Sequence, residues 1–199
     1  MRRLVTSAVL TAAFAIPSFS HSATTEVAGL PNFHKVNDRV YRGGQPDSRG
    51  WSELARIGVK KVVDLRQRTE HSTTAESLAV TSAGMRYVNA AMDGWATPTS
   101  EQIKTPLALL DDEEPVFVHC KRGRERTGSV IAAYRISREG WTNEKALAEA
   151  REKGLAWWAK GMRRFIAAYR PAPDAEPLTE QLADMPMAEA DSVGVAATR

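Results

Sequence analysis

The run His119-Cys120-Lys121-Arg122-Gly123-Arg124-Glu125-Arg126-Thr127-Gly128 packs one thiol, two glycines and four basic side chains into ten residues. A thiol attacks only as its thiolate. A free cysteine ionises near about 8.5, and neighbouring cations or a helix N-terminus bring that to roughly 3.5–7.5. Arg126, at the far end of the run, has a planar fork that can grip two oxygens of one phosphate. A loop of this composition is suited to holding a dianion against a nucleophile.

The flanking segments must shape that loop. Val116 to Val118, after Pro115, is a short apolar run that reads as a buried strand. From Thr127 onward Val130, Ile131, Ala132, Ala133, Tyr134 and Ile136 read as a buried helix, stopped by Gly140. A strand that turns sharply into a helix aims unpaired first-turn N–H groups at one point. The helix dipole adds positive potential there, so the point attracts anions.

The pattern His-Cys-x5-Arg-Thr-Gly resembles the signature of the cysteine-dependent protein tyrosine and dual-specificity phosphatases, in the same strand-loop-helix setting. The resemblance implies an α/β fold: a single domain whose central, mostly parallel, twisted sheet is flanked by helices. It also implies roles. Cys120 would attack phosphorus and form a phosphocysteine. Arg126 and the backbone from Lys121 through Arg122, Gly123, Arg124 and Glu125 would bind the phosphoryl oxygens. His119 would fix the loop, and Thr127 would donate its hydroxyl to the sulfur. Thiol-based sulfur or arsenate transferases also carry a cysteine in an anion loop, but the arginine six residues on and the following Thr-Gly favour the phosphatases. A phosphate-binding module without turnover is the competing class.

A phosphatase must also protonate its leaving group. The family places that acid in the loop that here reads Ala91-Met92-Asp93-Gly94-Trp95-Ala96-Thr97-Pro98-Thr99, and Asp93 is the only carboxylate between Glu76 and Glu101. Trp95 either lines the pocket or packs beneath the loop. Tyr41-Arg42-Gly43-Gly44-Gln45-Pro46 resembles a segment that supports the active-site wall in dual-specificity phosphatases, and Gly43-Gly44 reads equally as a plain tight turn. Arg66 and Arg68 follow a second buried strand, Val59 to Leu65. Arg66 either reaches the pocket or, as is slightly favoured, forms an internal salt bridge. His71 lies in a polar loop and reads as solvated. Glu125 departs from the aspartate of many bacterial relatives; it either orients the attacking water or pairs with Arg124.

Helices are expected over 48–57, 74–83, 99–110, 142–152 and 155–169, with short strands at 33–36, 39–42 and 85–89. Trp141, Trp157, Trp158, Phe165 and Tyr169 are expected to pack the core or cover the sheet. The histidines and the one cysteine show no metal-ligand spacing, so no metal and no cofactor are expected.

The 199 residues suffice for one domain, and the single cysteine excludes an internal disulfide. Residues 1–22 carry Arg2 and Arg3, then an apolar stretch from Leu4 to Ile16, then Ser20-His21-Ser22. This reads as a signal peptide and predicts export, to a bacterial periplasm, with no stable membrane span after processing. Residues 171–199 hold four prolines, six acidic residues and one basic, and read as a disordered tail. The phosphatase domain is therefore expected over 23–170, where 24 basic and 18 acidic residues leave a surplus of six positive charges. The whole-chain charge of +3 is too small to suggest nucleic acid. The expected partner is a phosphorylated protein, with a polyanionic small-molecule phosphate as runner-up. Cys-Lys-Arg-Gly-Arg-x-Arg-Thr-Gly also resembles the loop of the branch that cleaves inositol pyrophosphates, and Lys121 and Arg124 occupy positions that contact extra phosphates in the phosphoinositide branch.

Overall fold

The computed structural model describes residues 27–111 and 113–171. The expected signal peptide and nearly all of the expected tail lie outside the described residues. Five strands form one sheet: β1 (His34–Lys35), β2 (Val40–Gly43), β3 (Lys61–Asp64), β4 (Arg86–Asn89) and β5 (Val116–His119), in the order β1-β2-β5-β3-β4. The four strands β2, β5, β3 and β4 run parallel, and β1 closes one edge antiparallel to β2. The helices are α1 (Ser48–Arg56), α2 (Thr73–Ser82), α3 (Ser100–Asp111), α4 (Glu125–Glu139), α5 (Asn143–Glu152) and α6 (Lys160–Ala168). The α/β class expected from the sequence is the class observed.

Side chains alternate along each strand, so the sheet has two apolar faces. On β5, Val116 and Val118 pack with Ile103, Leu107, Val130 and Ile131 of α3 and α4. Phe117, between them, packs on the other face with Trp51, Leu54 and Val80 of α1 and α2. Helix α4 is buried at every position from Glu125 to Arg135. It lies between the sheet and an outer layer in which Ala132 meets Ala146, Ala150, Met162 and Ile166 of α5 and α6. Burial on two sides is the reason its sequence is apolar almost all round.

The predicted helix over 155–169 is shorter than expected. Gly154 takes a left-handed φ of 97°, and Leu155 N donates to Ala150 O at 2.8 Å, which ends α5. Leu155 and Ala159 then turn inward, and α6 begins only at Lys160. The same turn leaves Trp157 and Trp158 exposed, against the expectation that both pack the core or cover the sheet. Trp141 lies under Arg135 and Lys145, whose cationic groups stand 4.3 and 3.8 Å from its ring centre.

Candidate active site

At the carboxyl end of β5 the chain enters the loop 120–124 and then α4. Asp47, Ser72 and Thr142 cap α1, α2 and α5 with side-chain oxygens, whereas α4 has no capping side chain. Its first-turn amides are left for another acceptor. The Cys120 sulfur occupies that place. It is 2% exposed, and burial opposes its ionisation. The Thr127 hydroxyl and amide, the Arg126 charge and the Arg124 amide outweigh burial and hold the thiol below its ordinary value. Thr127 Oγ1, fully buried, has no hydrogen-bond partner besides what the sulfur offers.

The loop is held in shape from beneath. Gly123 has a φ of 69°, and a Cβ there would meet the Gly43 carbonyl carbon at 2.3 Å and Gly44 N at 2.5 Å. Two backbones therefore lie in contact, and only glycine fits. Arg42, 1% exposed, donates from Nη2 to Gly123 O at 2.7 Å, and Asn32 donates to the same oxygen at 2.8 Å. Gln45 N donates to Lys121 O at 3.2 Å. The Gly43-Gly44 segment is thus the floor of the loop rather than an independent turn. Desolvation brings the Arg42 guanidinium down to about 10, with Glu149 and the Cys120 anion pulling the other way.

Arg126 is anchored where the sequence offered no signal. Glu70 takes its outer edge, with Nη1 donating to Oε1 at 2.5 Å and Nη2 to Oε2 at 2.9 Å. Nη1 also lies 3.3 Å from Leu65 O and 3.4 Å from Met92 O. Gly94 lies against the guanidinium plane, since a Cβ there would stand 3.5 Å from Cζ. The Nε edge is left for an anion in the cup. The hydrogen bond with Arg126 holds the Glu70 carboxyl below its usual range. An acid 56 residues away in sequence, in an exposed loop, is indistinguishable from any solvated glutamate until the fold is known.

Asp93 stands in the loop that covers Arg126, but its carboxylate is turned to its own backbone. Oδ1 accepts from Trp95 N at 2.7 Å and from Ala96 N at 2.6 Å. Those two bonds hold the carboxyl below its ordinary value. Trp95 neither lines a closed pocket nor packs under the loop: it is 81% exposed and stacks on Trp158 at 5.6 Å. Glu125 is buried in the first turn of α4 and pairs with Arg122 at 3.2 Å, not with Arg124. Lys121 and Arg124 are exposed on the rim.

Behind the loop lies a buried polar cluster. Asp64, wholly buried, accepts from Arg66 Nε at 2.9 Å, from Arg66 N at 3.0 Å and from the Tyr87 hydroxyl at 2.9 Å. Arg66 also pairs closely with Glu76, so the internal salt bridge is its role and it does not enter the cup. His71 is not solvated: its loop folds back over β3, and Nε2 lies 2.7 Å from Asp64 Oδ2. His119, 0% exposed, stands 3.0 Å from Glu76 Oε1 through Nε2 and 3.4 Å from its neighbour's carbonyl, Cys120 O, through Nδ1. Asp64, Glu76 and His119 have a donor spacing that a cation could use. The Arg66 guanidinium already bridges the two carboxylates, so the cluster carries its own counter-charge.

A depressed thiol at an uncapped helix N-terminus, with an anchored guanidinium on the rim, defines a cysteine-dependent phosphatase. The family model described as "DSP-PTPase phosphatase fused to NAD+ Kinase" matches residues 12–161, and the chain belongs to this DSP-PTPase phosphatase family. It is similar to inositol diphosphatase DSP5 of Arabidopsis thaliana, at 26% identity over 140 residues, covering 67% of each chain. It is similar to dual specificity protein phosphatase TpbA of Pseudomonas aeruginosa, at 28% identity over 165 residues, covering 77% of this chain and 72% of that protein. The fold matches the catalytic domain of the PP-IP phosphatase SIW14 of S. cerevisiae with a TM-score of 0.63 at 22% identity, covering 73% of this chain and 89% of that one. The protein is a phosphatase, and hence a hydrolase.

Proposed function

We propose that the chain hydrolyses phosphate monoesters through a phosphocysteine formed on Cys120, with phosphotyrosine-bearing or other phosphorylated proteins as the first substrate class. The observation that carries this is the position of the Cys120 sulfur at the uncapped start of α4 beneath Arg126. The thiolate attacks phosphorus in line, the sulfur–phosphorus bond forms, and the ester P–O bond breaks. The Nε edge of Arg126 and the amides of 121–126 take the charge that builds on the non-bridging oxygens. Asp93 gives the leaving oxygen its proton, which requires its turn to open and release the Trp95 and Ala96 amides. Water then cleaves the sulfur–phosphorus bond, and the Thr127 hydroxyl stabilises the departing thiolate. Glu125 is committed to Arg122, which leaves Asp93 as the base for that second step.

Turnover of p-nitrophenyl phosphate by wild type and by Cys120→Ser tests the reading. The serine variant should lose essentially all activity while still binding phosphate. Equal rates would rule out the thiol mechanism, and binding without turnover in the wild type would leave only a phosphate-binding module.

A second reading is supported by Lys121 and Arg124. Both are exposed on the rim, and neither has a carboxylate partner among the described residues. Two such cations favour a substrate with several phosphates, such as an inositol polyphosphate. The variant Lys121→Gln with Arg124→Gln should then lose far more activity on inositol hexakisphosphate or its diphosphate than on phosphotyrosine. Parallel losses would remove this reading.

We further propose that residues 1–22 direct export to a periplasm. Arg2, Arg3 and the apolar stretch Leu4 to Ile16 support it. Amino-terminal sequencing of the protein from a periplasmic fraction should start at Ala23; recovery in the cytoplasm with Met1 intact would refute export.

A further inference from the structure

The described residues expose four large apolar side chains, and three of them are tryptophans, two of which stack beside the loop 120–124. Trp95 is 81% exposed, Trp157 76% and Trp158 39%. Trp95 and Trp158 are connected to each other and to the site, and Trp157 precedes Trp158 in the chain. Trp95 stacks on Trp158, and Arg122 of the phosphate loop stands 5.8 Å over the Trp158 ring. The first turn of α6 presses on the loop bearing Trp95, because a Cβ at Gly161 would meet Thr97 Oγ1 at 2.5 Å. Arg163 reaches back from α6 and donates to Trp157 O at 2.9 Å.

The same side of the molecule is basic. Lys160, Arg163 and Arg164 share one face of α6, opposite the buried Met162 and Ile166. With Arg151 of α5 they rim a shallow groove floored by Leu147 and Ala167, with a cavity volume of about 430 Å³. None of these four cations has a carboxylate partner among the described residues; Arg163 and Arg164 donate only to backbone carbonyls.

Exposed tryptophans are costly in a surface that meets only water. Indole rings next to unpaired lysine and arginine form the combination that settles into the headgroup region of an anionic bilayer. The ring enters the boundary between headgroups and acyl chains, and the cations meet lipid phosphates. We propose that Trp95, Trp157 and Trp158, with the basic face of α6, form a peripheral docking surface for an anionic phospholipid membrane. Docking there would place the phosphate loop, through Arg122, at the edge of the bilayer. The enzyme would meet phosphate groups carried on or near a membrane in preference to free ones. The proposal concerns binding and is independent of which phosphoester is cleaved.

The test uses the full chain and vesicles whose phosphatidylcholine carries brominated acyl chains, with and without roughly one third phosphatidylglycerol. Bromine quenches tryptophan emission only when the ring enters the membrane, whatever else tethers the chain. Quenching is expected with the anionic vesicles, and the lipid concentration needed should be about tenfold lower than with neutral ones. In Trp95→Phe/Trp157→Phe/Trp158→Phe the remaining Trp51 and Trp141 should stay unquenched. In Arg163→Gln/Arg164→Gln about tenfold more lipid should be needed, with a weaker dependence on salt. Absence of quenching in the wild type at low salt overturns the proposal, as does undiminished quenching in the arginine pair. Capture of the patch by soluble poly-glutamate without vesicle binding would assign it to an acidic protein instead. A dimer that the tryptophan variant dissolves would assign it to a second copy; either result overturns the lipid assignment.

Discussion

Burial and charge pull the Cys120 sulfur in opposite directions, and the donors around it decide the outcome. Alkylation by iodoacetate should therefore rise through a midpoint below that of a free cysteine. Thr127→Ala removes the donor that lowers the thiol most and should move that midpoint upward; an unchanged midpoint would show that the hydroxyl does not reach the sulfur. Glu70 acts through Arg126. Glu70→Gln weakens the paired grip on the guanidinium and should lower kcat/KM for p-nitrophenyl phosphate by about 10–100-fold. Glu70→Asp should recover part of the loss, and wild-type rates in Glu70→Gln would dismiss the anchor. Asp93→Asn should slow turnover of poor leaving groups by roughly 10²–10⁴ and leave good ones much less affected. The lowered Asp93 carboxyl reflects its bonds to the Ala96 and Trp95 amides, which the proposed donor role requires it to release. The proposed role has that turn open in the substrate complex, and equal losses on phenyl and p-nitrophenyl phosphate would reject it.

The phosphate loop depends on contact between two segments that lie far apart in sequence. The Gly123 bend, the Gly43-Gly44 backbone and the buried Arg42 form one unit. Alanine at Gly123 would impose about 1–3 kcal/mol of backbone strain before any clash. Its Cβ would also have to displace the Gly43 carbonyl. Gly123→Ala should thus lose activity entirely and melt earlier, as followed by circular dichroism; a folded, active variant would contradict the close approach. The uncapped α4 belongs to the same scale. Three other helices satisfy their first-turn amides with Asp47, Ser72 or Thr142, and α4 alone among these four turns its amides to the sulfur and the cup.

For the molecule as a whole, the buried cluster on Asp64 couples the sheet to the loop. Arg66 is the cation between Asp64 and Glu76, and His119 stands between that cluster and Cys120. Arg66→Met would leave two buried carboxylates without their cation, a loss of about 3–5 kcal/mol in urea denaturation. The Asp64 carboxyl is held below its ordinary value: burial raises it, and the Arg66 side-chain bond, the nearby His119 and the Arg66 amide and charge together more than reverse that. A carboxyl lowered in the folded state stabilises the protein fully above its unfolded value near about 4, and that stability is lost as pH falls through the lowered folded value. Acid unfolding should therefore begin below about pH 4, and Asp64→Asn should flatten it. An acid transition identical in the variant would remove Asp64 as its source.

The one-dimensional pattern determined the strand-loop-helix unit and put Cys120 and Arg126 at the two ends of its loop, because these depend on residues close together in the chain, and the resemblance to the phosphatases supplied the α/β class. The apolar run Val116 to Val118 and the apolar run of α4 are local, and both reappear in the fold. Folding alone decided which distant partners met: Glu70 on Arg126, Arg42 under Gly123, His71 on Asp64, Arg122 rather than Arg124 on Glu125. It also turned Trp157 and Trp158 outward, where aromatic side chains are expected to pack the core or cover the sheet. Local propensity follows from neighbours along the backbone. Pairing of charges, and the side of a turn that meets water, depend on elements brought together across the chain, and no spacing encodes them.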